Sequence, residues 1–81
     1  MNEQDFAIDE LQDGTFRVTR IDIEGDYHTH MKSKQLAKTV IHNVCNGKIP
    51  LNSRNYTLIS MYRLSNNEEY RDKIQEILDT R

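Results

Sequence analysis

The spacing of apolar residues changes once along this chain, close to Ser33. Ahead of that point apolar residues alternate with polar ones, as Phe6 and Ile8 do, which is the period of β-strands. Beyond it they recur three and four positions apart, as on one face of an α-helix. A chain of 81 residues buries too little surface to support two cores. The sequence therefore predicts one α+β domain, residues 1–81, in which a sheet precedes the helices.

Three short strands are expected in the first part of the chain. The alternating runs 6–8 and 16–18 flank the turn signal Asp13-Gly14, and this arrangement predicts a β-hairpin. A third strand is expected over residues 27–32, where alternation resumes after another turn. Together these runs predict a three-stranded antiparallel sheet.

The second strand carries an irregularity. Ile21 and Ile23 lie on the opposite parity from Val18, so the apolar face changes sides after that residue. A β-bulge, a strong twist or a strand with apolar contacts on both faces would each explain this change.

A helix is predicted over Lys34–Asn46. Ser33 occupies the position of an N-cap, and Asn46-Gly47 is a typical C-terminal stop. Between these signals the apolar residues repeat at helical spacing. This stripe is expected to cover one face of the sheet.

The remaining chain predicts one or two further helices. The segment Asn55–Leu64 fits either a helix with a wide apolar stripe or an interrupted strand, and we interpret it as a helix. Ser65 and Glu68 have the spacing of a capping box, which predicts a last helix over Asn66–Thr80. The predicted fold class is thus α+β, a three-stranded antiparallel sheet followed by two or three helices.

Charge is distributed unevenly along the sequence. Residues 1–26 hold eight acidic residues and two arginines, a net charge of −6. Residues 27–67 hold six basic residues and no acidic one, a net charge of +6, and residues 68–81 carry −2. Such asymmetry indicates association with a charged partner and does not specify a fold.

The start of the first predicted helix is the strongest functional signal. Lys32 and Lys34 lie where cations oppose the helix dipole, and no acidic residue offsets them. Free N–H groups at a helix start bind phosphate, and nearby lysines add attraction. A solvated face with Ser33 as a simple cap is the alternative interpretation. The residues expected to contact nucleic acid or another anionic partner are Lys32, Ser33, Lys34, Lys38, Lys48 and Arg54.

The run Ser33-Lys34-Gln35-Leu36-Ala37-Lys38, within residues 15–44, resembles the C-terminal half of a double-stranded-RNA-binding domain. The resemblance implies that Lys34 and Lys38 span phosphates across an RNA groove, while Gln35 stands where the family motif has a lysine. The family's N-terminal helix and its Gly-Pro-x-His loop have no counterpart here. The order of three strands and a helix is also similar to the N-terminal DNA-binding domain of some phage and transposon integrases.

The size and architecture resemble those of small phage-encoded inhibitors, including some anti-CRISPR proteins. This resemblance implies an alternative function, in which the protein inhibits a host protein stoichiometrically by placing its acidic hairpin against a basic cleft. The acidic residues expected to contact that protein are Asp9, Glu10, Asp13, Asp22, Glu24 and Asp26.

Metal binding and catalysis receive little support from the sequence. His28, His30, His42 and Cys45 are possible zinc ligands, but the two strand histidines are expected to point away from the helix that carries the other two. No nucleophile is embedded in a recognisable arrangement with a base. We therefore expect no enzyme activity, no cofactor and no small-molecule substrate.

The expected location is the cytoplasm. The single cysteine, Cys45, excludes an internal disulfide, which favours a reducing compartment. No apolar run approaches the roughly 18 residues of a membrane span, and the N-terminus is acidic where a signal peptide is basic. The oligomeric state is left open.

Overall fold

A computed structural model describes all 81 residues, Met1–Arg81, and confirms the α+β fold class. The antiparallel sheet has the order β1-β2-β3, and a short 3-10 helix, Glu3–Asp5, precedes it. The elements are β1 (Phe6–Glu10), β2 (Phe16–Arg20), β3 (His28–Met31), α1 (Lys34–Asn46), α2 (Asn55–Leu64) and α3 (Glu68–Asp79).

One face of the sheet is covered by helices. Val18 on the central strand pairs with Ile8 on one side and Thr29 on the other, and all three side chains face inward. The apolar stripe of α1 covers this face, as the sequence predicts. The buried apolar core consists of Phe6, Val18, Met31, Ala37, Val40, Ile41, Val44, Leu58, Met61, Leu64, Tyr70 and Ile74.

The opposite face of the sheet carries polar side chains and no helix. Asp9, Arg17 and His30 form a row across the three strands, and all three are exposed. The alternation of the strands therefore separates a core face from a polar face, as the period of two requires.

Helices α1 and α2 begin at the same end of the sheet. Helix α1 begins three residues after β3 ends. The Lys32 N–H donates to the Tyr56 hydroxyl at 3.4 Å, which brings the first turn of α2 to the same place. The Thr29 hydroxyl donates to the Ser60 hydroxyl at 3.0 Å, so α2 runs back along β3 from that end.

The change of parity has a simpler cause than a β-bulge, because it falls after the end of β2 and the register of the strand is regular. The strand ends at Arg20, and the isoleucine after it is in the connecting loop, 62% exposed. Arg20 itself keeps the inward parity and is only 5% exposed. Its guanidinium bonds to the Asp22 carboxylate at 2.7 and 2.8 Å, to the Leu64 carbonyl at 2.9 Å and to Asn66 Oδ1 at 3.5 Å. We call these four residues the arginine clamp.

The predicted capping box is also wrong. The N-cap of α3 is Asn67, whose Oδ1 accepts the Tyr70 N–H at 3.0 Å. Ser65 instead ends α2, since its N–H donates to the Met61 carbonyl at 3.1 Å. Its hydroxyl accepts the N–H of Asn67 at 3.1 Å, so it shapes the connection between the two helices. Helix α3 consequently begins at Glu68, two residues later than predicted.

The ambiguous segment Asn55–Leu64 is a helix with the predicted bounds. Leu58, Met61 and Leu64 lie three residues apart and are fully buried, which is the spacing of a helix face. Helix α1 also has its predicted bounds. Gly47 ends it in the left-handed conformation, at φ 63°, which glycine adopts without a steric penalty.

Candidate functional site

Most of the predicted cationic residues lie together where α1 and α2 begin. Lys32 joins β3 to α1, and Lys34 and Lys38 lie one turn apart on an exposed face of α1. Arg54 immediately precedes α2, two residues before the tyrosine that contacts Lys32. We call Lys32, Ser33, Lys34, Lys38 and Arg54 the basic end.

No acidic side chain pairs with the charges of the basic end. The ion pairs of the molecule are Arg20–Asp22, His28–Asp26 and Lys73–Glu69, none of which involves this region. The first turns of α1 and α2 contain no acidic residue. The positive ends of the two helix dipoles and the four cationic side chains therefore all contribute positive electrostatic potential to this surface.

Hydrogen-bond donors are also free at this end. Ser33 caps α1, because its Oγ accepts the Leu36 N–H at 3.1 Å, while its own O–H remains available. Helix α2 has no side-chain cap, and the N–H groups of Asn55 and Tyr56 bond to no protein atom. Free N–H groups at a helix start are suited to bind an anion.

Tyr56 contributes an aromatic ring that the sequence analysis does not include in the site. The Lys32 ammonium lies 5.9 Å from the centre of this ring, within reach of a cation–π contact. The position of Tyr56, two residues after Arg54 in the segment without acidic residues, is the sequence signal that indicates it. The ring thus lies beside the cation that precedes α1.

Arg81 is a further cation close to the basic end. Its guanidinium donates to the Leu51 and Ser53 carbonyls at 2.9 and 2.6 Å, and to Asn55 Oδ1 at 2.9 Å. It therefore braces the loop that leads into α2. Nothing in the sequence indicates this contact, which joins residues 26 to 30 positions apart.

Lys48 does not belong to the basic end. Its N–H donates to the Asn43 carbonyl at 2.9 Å, near the C-terminal end of α1. Nine residues of helix, roughly 14 Å along the axis, separate that carbonyl from Lys34. The Tyr70 hydroxyl donates to the Lys48 carbonyl at 2.7 Å, so this part of the chain packs against α3.

The six acidic residues of the alternative site do not form one surface. Asp9, Glu10 and Asp13 lie toward the β1–β2 turn, whereas Asp22 and Glu24 are in the β2–β3 loop at the opposite end of the sheet. Asp26 is in that loop as well. Four residues of strand, about 13 Å, separate the two ends.

Three of these acidic residues are engaged inside the fold. Asp13 accepts the Thr15 N–H at 2.9 Å and its hydroxyl at 2.6 Å, and these bonds lower the pKa of the Asp13 carboxyl. The hydrogen bonds from Arg20 likewise lower the pKa of Asp22. Asp26 pairs with the His28 ring. Their carboxylates stabilise turns and loops of this protein.

The histidines and the cysteine are distributed over different parts of the molecule. The His28 and His30 rings meet edge to face, 5.5 Å apart, on the uncovered face of the sheet. His42 and Cys45 lie on α1, which packs against the other face. No three His, Cys, Asp or Glu side chains are grouped in a way that suits a metal ion. Burial raises the pKa of the Cys45 thiol.

None of the helices is long and apolar enough to cross a membrane. Comparison of the chain with protein-family models, with curated proteins and with solved structures found no match.

Proposed function

We propose that this protein is a small non-enzymatic binding module that docks its basic end on the phosphates of a nucleic acid. One observation supports this most strongly. Two helices begin side by side with four unpaired cations and no acidic residue in either first turn. This arrangement costs stability in the free protein, and an anionic partner would relieve that cost.

The chemistry of the basic end suits a phosphate backbone. Lysine ammonium groups attract phosphates as point charges, and helix N–H groups add directed hydrogen bonds. If all four cations contact a duplex, the logarithm of the affinity should fall with the logarithm of salt with a slope of about −3.6. The Tyr56 ring beside Lys32 offers a surface on which an unpaired base can stack.

The phage-type inhibitor function has weaker support. It requires a continuous acidic surface, whereas the acidic residues are divided between two ends of the sheet and three of them bond within the fold. We place the binding role in the cytoplasm, because a single cysteine leaves no internal disulfide and such chains are typical of reducing compartments.

A binding titration with matched variants tests the proposal. Fluorescence polarisation with labelled duplex RNA, duplex DNA and single-stranded RNA would measure affinity over a range of salt. The double variant Lys34→Glu, Lys38→Glu should lose binding. The control variant Lys48→Glu, Lys73→Glu makes the same change in net charge away from the basic end, and it should retain most of the affinity.

Two outcomes would contradict the proposal. Affinity independent of salt would show that phosphate neutralisation does not drive binding. Equal losses in both double variants would show that net charge, and not the basic end, is responsible. A pull-down from host lysate with and without nuclease separates the two functions, since a partner retained after nuclease treatment would favour the inhibitor.

A further inference from the structure

A second group of cations lines a cleft on another part of the molecule. The cleft has a volume of about 420 Å³ and lies between the β2–β3 loop and the junction of α2 with α3. This size suits one small ligand. Its walls are formed by Asp26, Tyr27, His28, Arg63 and Arg71.

Arg71 is held in place in a way that leaves its terminal nitrogens free. Its guanidinium lies over the Tyr62 ring, 4.2 Å from the centre, and its Nε donates to the Tyr62 carbonyl at 3.2 Å. Neither terminal nitrogen bonds to a protein atom. Glu68 lies three residues earlier on the same helix, at the spacing of a helix ion pair, yet forms none with it. The two terminal nitrogens of Arg71 are therefore available to a ligand.

Arg63 provides the second guanidinium of the cleft. It lies in the last turn of α2, is exposed, and its side chain makes no hydrogen bond or ion pair. The carboxylate that also lines the cleft, Asp26, pairs with His28 instead. Two guanidinium groups thus face one small volume without an anion bonded to either, and such forks match the oxygens of a phosphate.

The remaining walls suit the other parts of a nucleotide. Tyr27 is half-buried, and its ring packs against Gly25, where a Cβ would lie 3.0 Å from the ring atom Cε2. Because Gly25 also has φ +111°, a larger residue there would be strained and would displace the ring. An aromatic wall can stack on a base. The Asp26 carboxylate can accept a hydrogen bond from a sugar hydroxyl.

We infer that this cleft binds a mononucleotide, with Arg63 and Arg71 on its phosphate monoester and Tyr27 against its base. The site is independent of the basic end. Nine residues of α2, roughly 14 Å, separate Arg63 from Arg54. Nucleotide binding in this cleft can therefore be tested independently of nucleic-acid binding at the basic end.

Calorimetric and NMR titration of the whole protein with related ligands tests the assignment. The probes are AMP, GMP, CMP, UMP, ribose 5-phosphate, inorganic phosphate and adenosine. At least one nucleotide should bind more tightly than ribose 5-phosphate, because only nucleotides reach Tyr27. Adenosine should bind about 10-fold or more weakly than AMP, because it lacks the groups that the arginines recognise.

Variants identify the residues responsible. Arg63→Gln and Arg71→Gln should each weaken nucleotide binding about 10- to 100-fold. Tyr27→Leu should reduce it to the level of ribose 5-phosphate. Arg17→Gln, on the uncovered face of the sheet, should leave it unchanged, as should the Lys34→Glu, Lys38→Glu variant. Arg63 is exposed, so its variant keeps the test valid if Arg71→Gln perturbs the fold.

Three results would overturn the inference. The first is that no nucleotide binds at millimolar concentration. The second is that binding persists in both arginine variants. The third is that inorganic phosphate binds as tightly as every nucleotide, because the aromatic wall would then contribute nothing. If the native protein binds a nucleotide but no nucleic-acid strand, the proposed function is refuted and this site remains.

Discussion

The arginine clamp and the basic end use positive charge in opposite ways. In the clamp, Arg20 is 5% exposed and its guanidinium bonds to a carboxylate, a carbonyl and an amide oxygen. At the basic end, Lys34 and Lys38 are exposed and bond to nothing. The comparison teaches that a buried cation needs partners within the chain, whereas the exposed cations of the basic end remain without an anionic partner in the fold.

The two regions also have opposite effects on stability. A buried cation is tolerated only where paired groups replace its water, and Arg20 has these together with the Phe6 ring, 5.4 Å from its guanidinium carbon. Cations near a helix start oppose the dipole and cost roughly 0.3–1 kcal/mol each. The clamp therefore stabilises the native state, whereas the basic end lowers its stability.

Breaking the clamp should have the largest effect. Arg20→Ala should lower the free energy of unfolding by about 1–3 kcal/mol, because it leaves the buried Leu64 carbonyl without its partner. Urea denaturation followed by circular dichroism measures this. The matched control is Arg17→Ala, an exposed arginine on the same strand, which should change stability by no more than about 0.5 kcal/mol. Similar losses for both variants would remove the distinction between the two regions.

The second-largest effect is expected from acid, which should weaken the clamp. The hydrogen bonds from Arg20 lower the pKa of Asp22 from its ordinary 3.8, so the charged form is favoured in the folded state. The stabilisation that the charged Asp22 carboxylate contributes to the folded state is present above pH 3.8. It is lost as the pH falls through the lower folded pKa. Asp22→Asn should lack it, with a smaller loss at neutral pH than Arg20→Ala, because Arg20 keeps its bond to the Leu64 carbonyl.

Melting temperatures of the native protein and of Asp22→Asn should therefore converge as the pH falls below 3.8. A gap that stays constant down to the lowest pH would show that the carboxylate does not act through its charge.

Removing the cap of α3, which lies close to the clamp, should have a smaller effect on stability. Asn67→Ala should cost about 1 kcal/mol, because its Oδ1 satisfies the Tyr70 N–H. Thermal denaturation of this variant and of Asn66→Ala provides the comparison, since Asn66 makes only a long contact with Arg20 at 3.5 Å. A larger loss for Asn66→Ala would mean that the clamp, and not the cap, dominates this junction.

The smallest effect, and one of opposite sign, is expected at the basic end. Lys34→Glu should raise the free energy of unfolding by about 0.3–1 kcal/mol at low salt, because an acidic residue in the first turn favours the dipole of α1. Salt should reduce the gain through screening. A loss of stability in this variant would indicate that Lys34 has a stabilising partner and that the basic end resembles the clamp.

The sequence predicts most of the fold correctly because its signals are local. Ser33, the apolar stripe and Gly47 bound α1 correctly, since caps and periodicity act within a few residues. The start of α3 is misplaced because Ser65 and Asn67 are both plausible caps. Only the end of α2 decides between them.

The candidate site is less predictable because it depends on contacts between distant residues. Charge counts place Asp13 and Asp22 in one acidic segment, but antiparallel strands send them to opposite ends of the sheet. The same counts include Lys48 with Lys34, although the length of α1 separates them. The pairing of Arg20 with the end of α2 has no local signature at all.

The bond from Arg20 to the Leu64 carbonyl joins residues 44 positions apart. The end of the hairpin is therefore held in place by the end of α2, and neither is complete before the other has formed. Non-local contacts of this kind slow folding, because the chain must close a long loop before it gains their energy. In native-state hydrogen exchange, the amides of β2 and of the last turn of α2 should accordingly open together, as one cooperative unit.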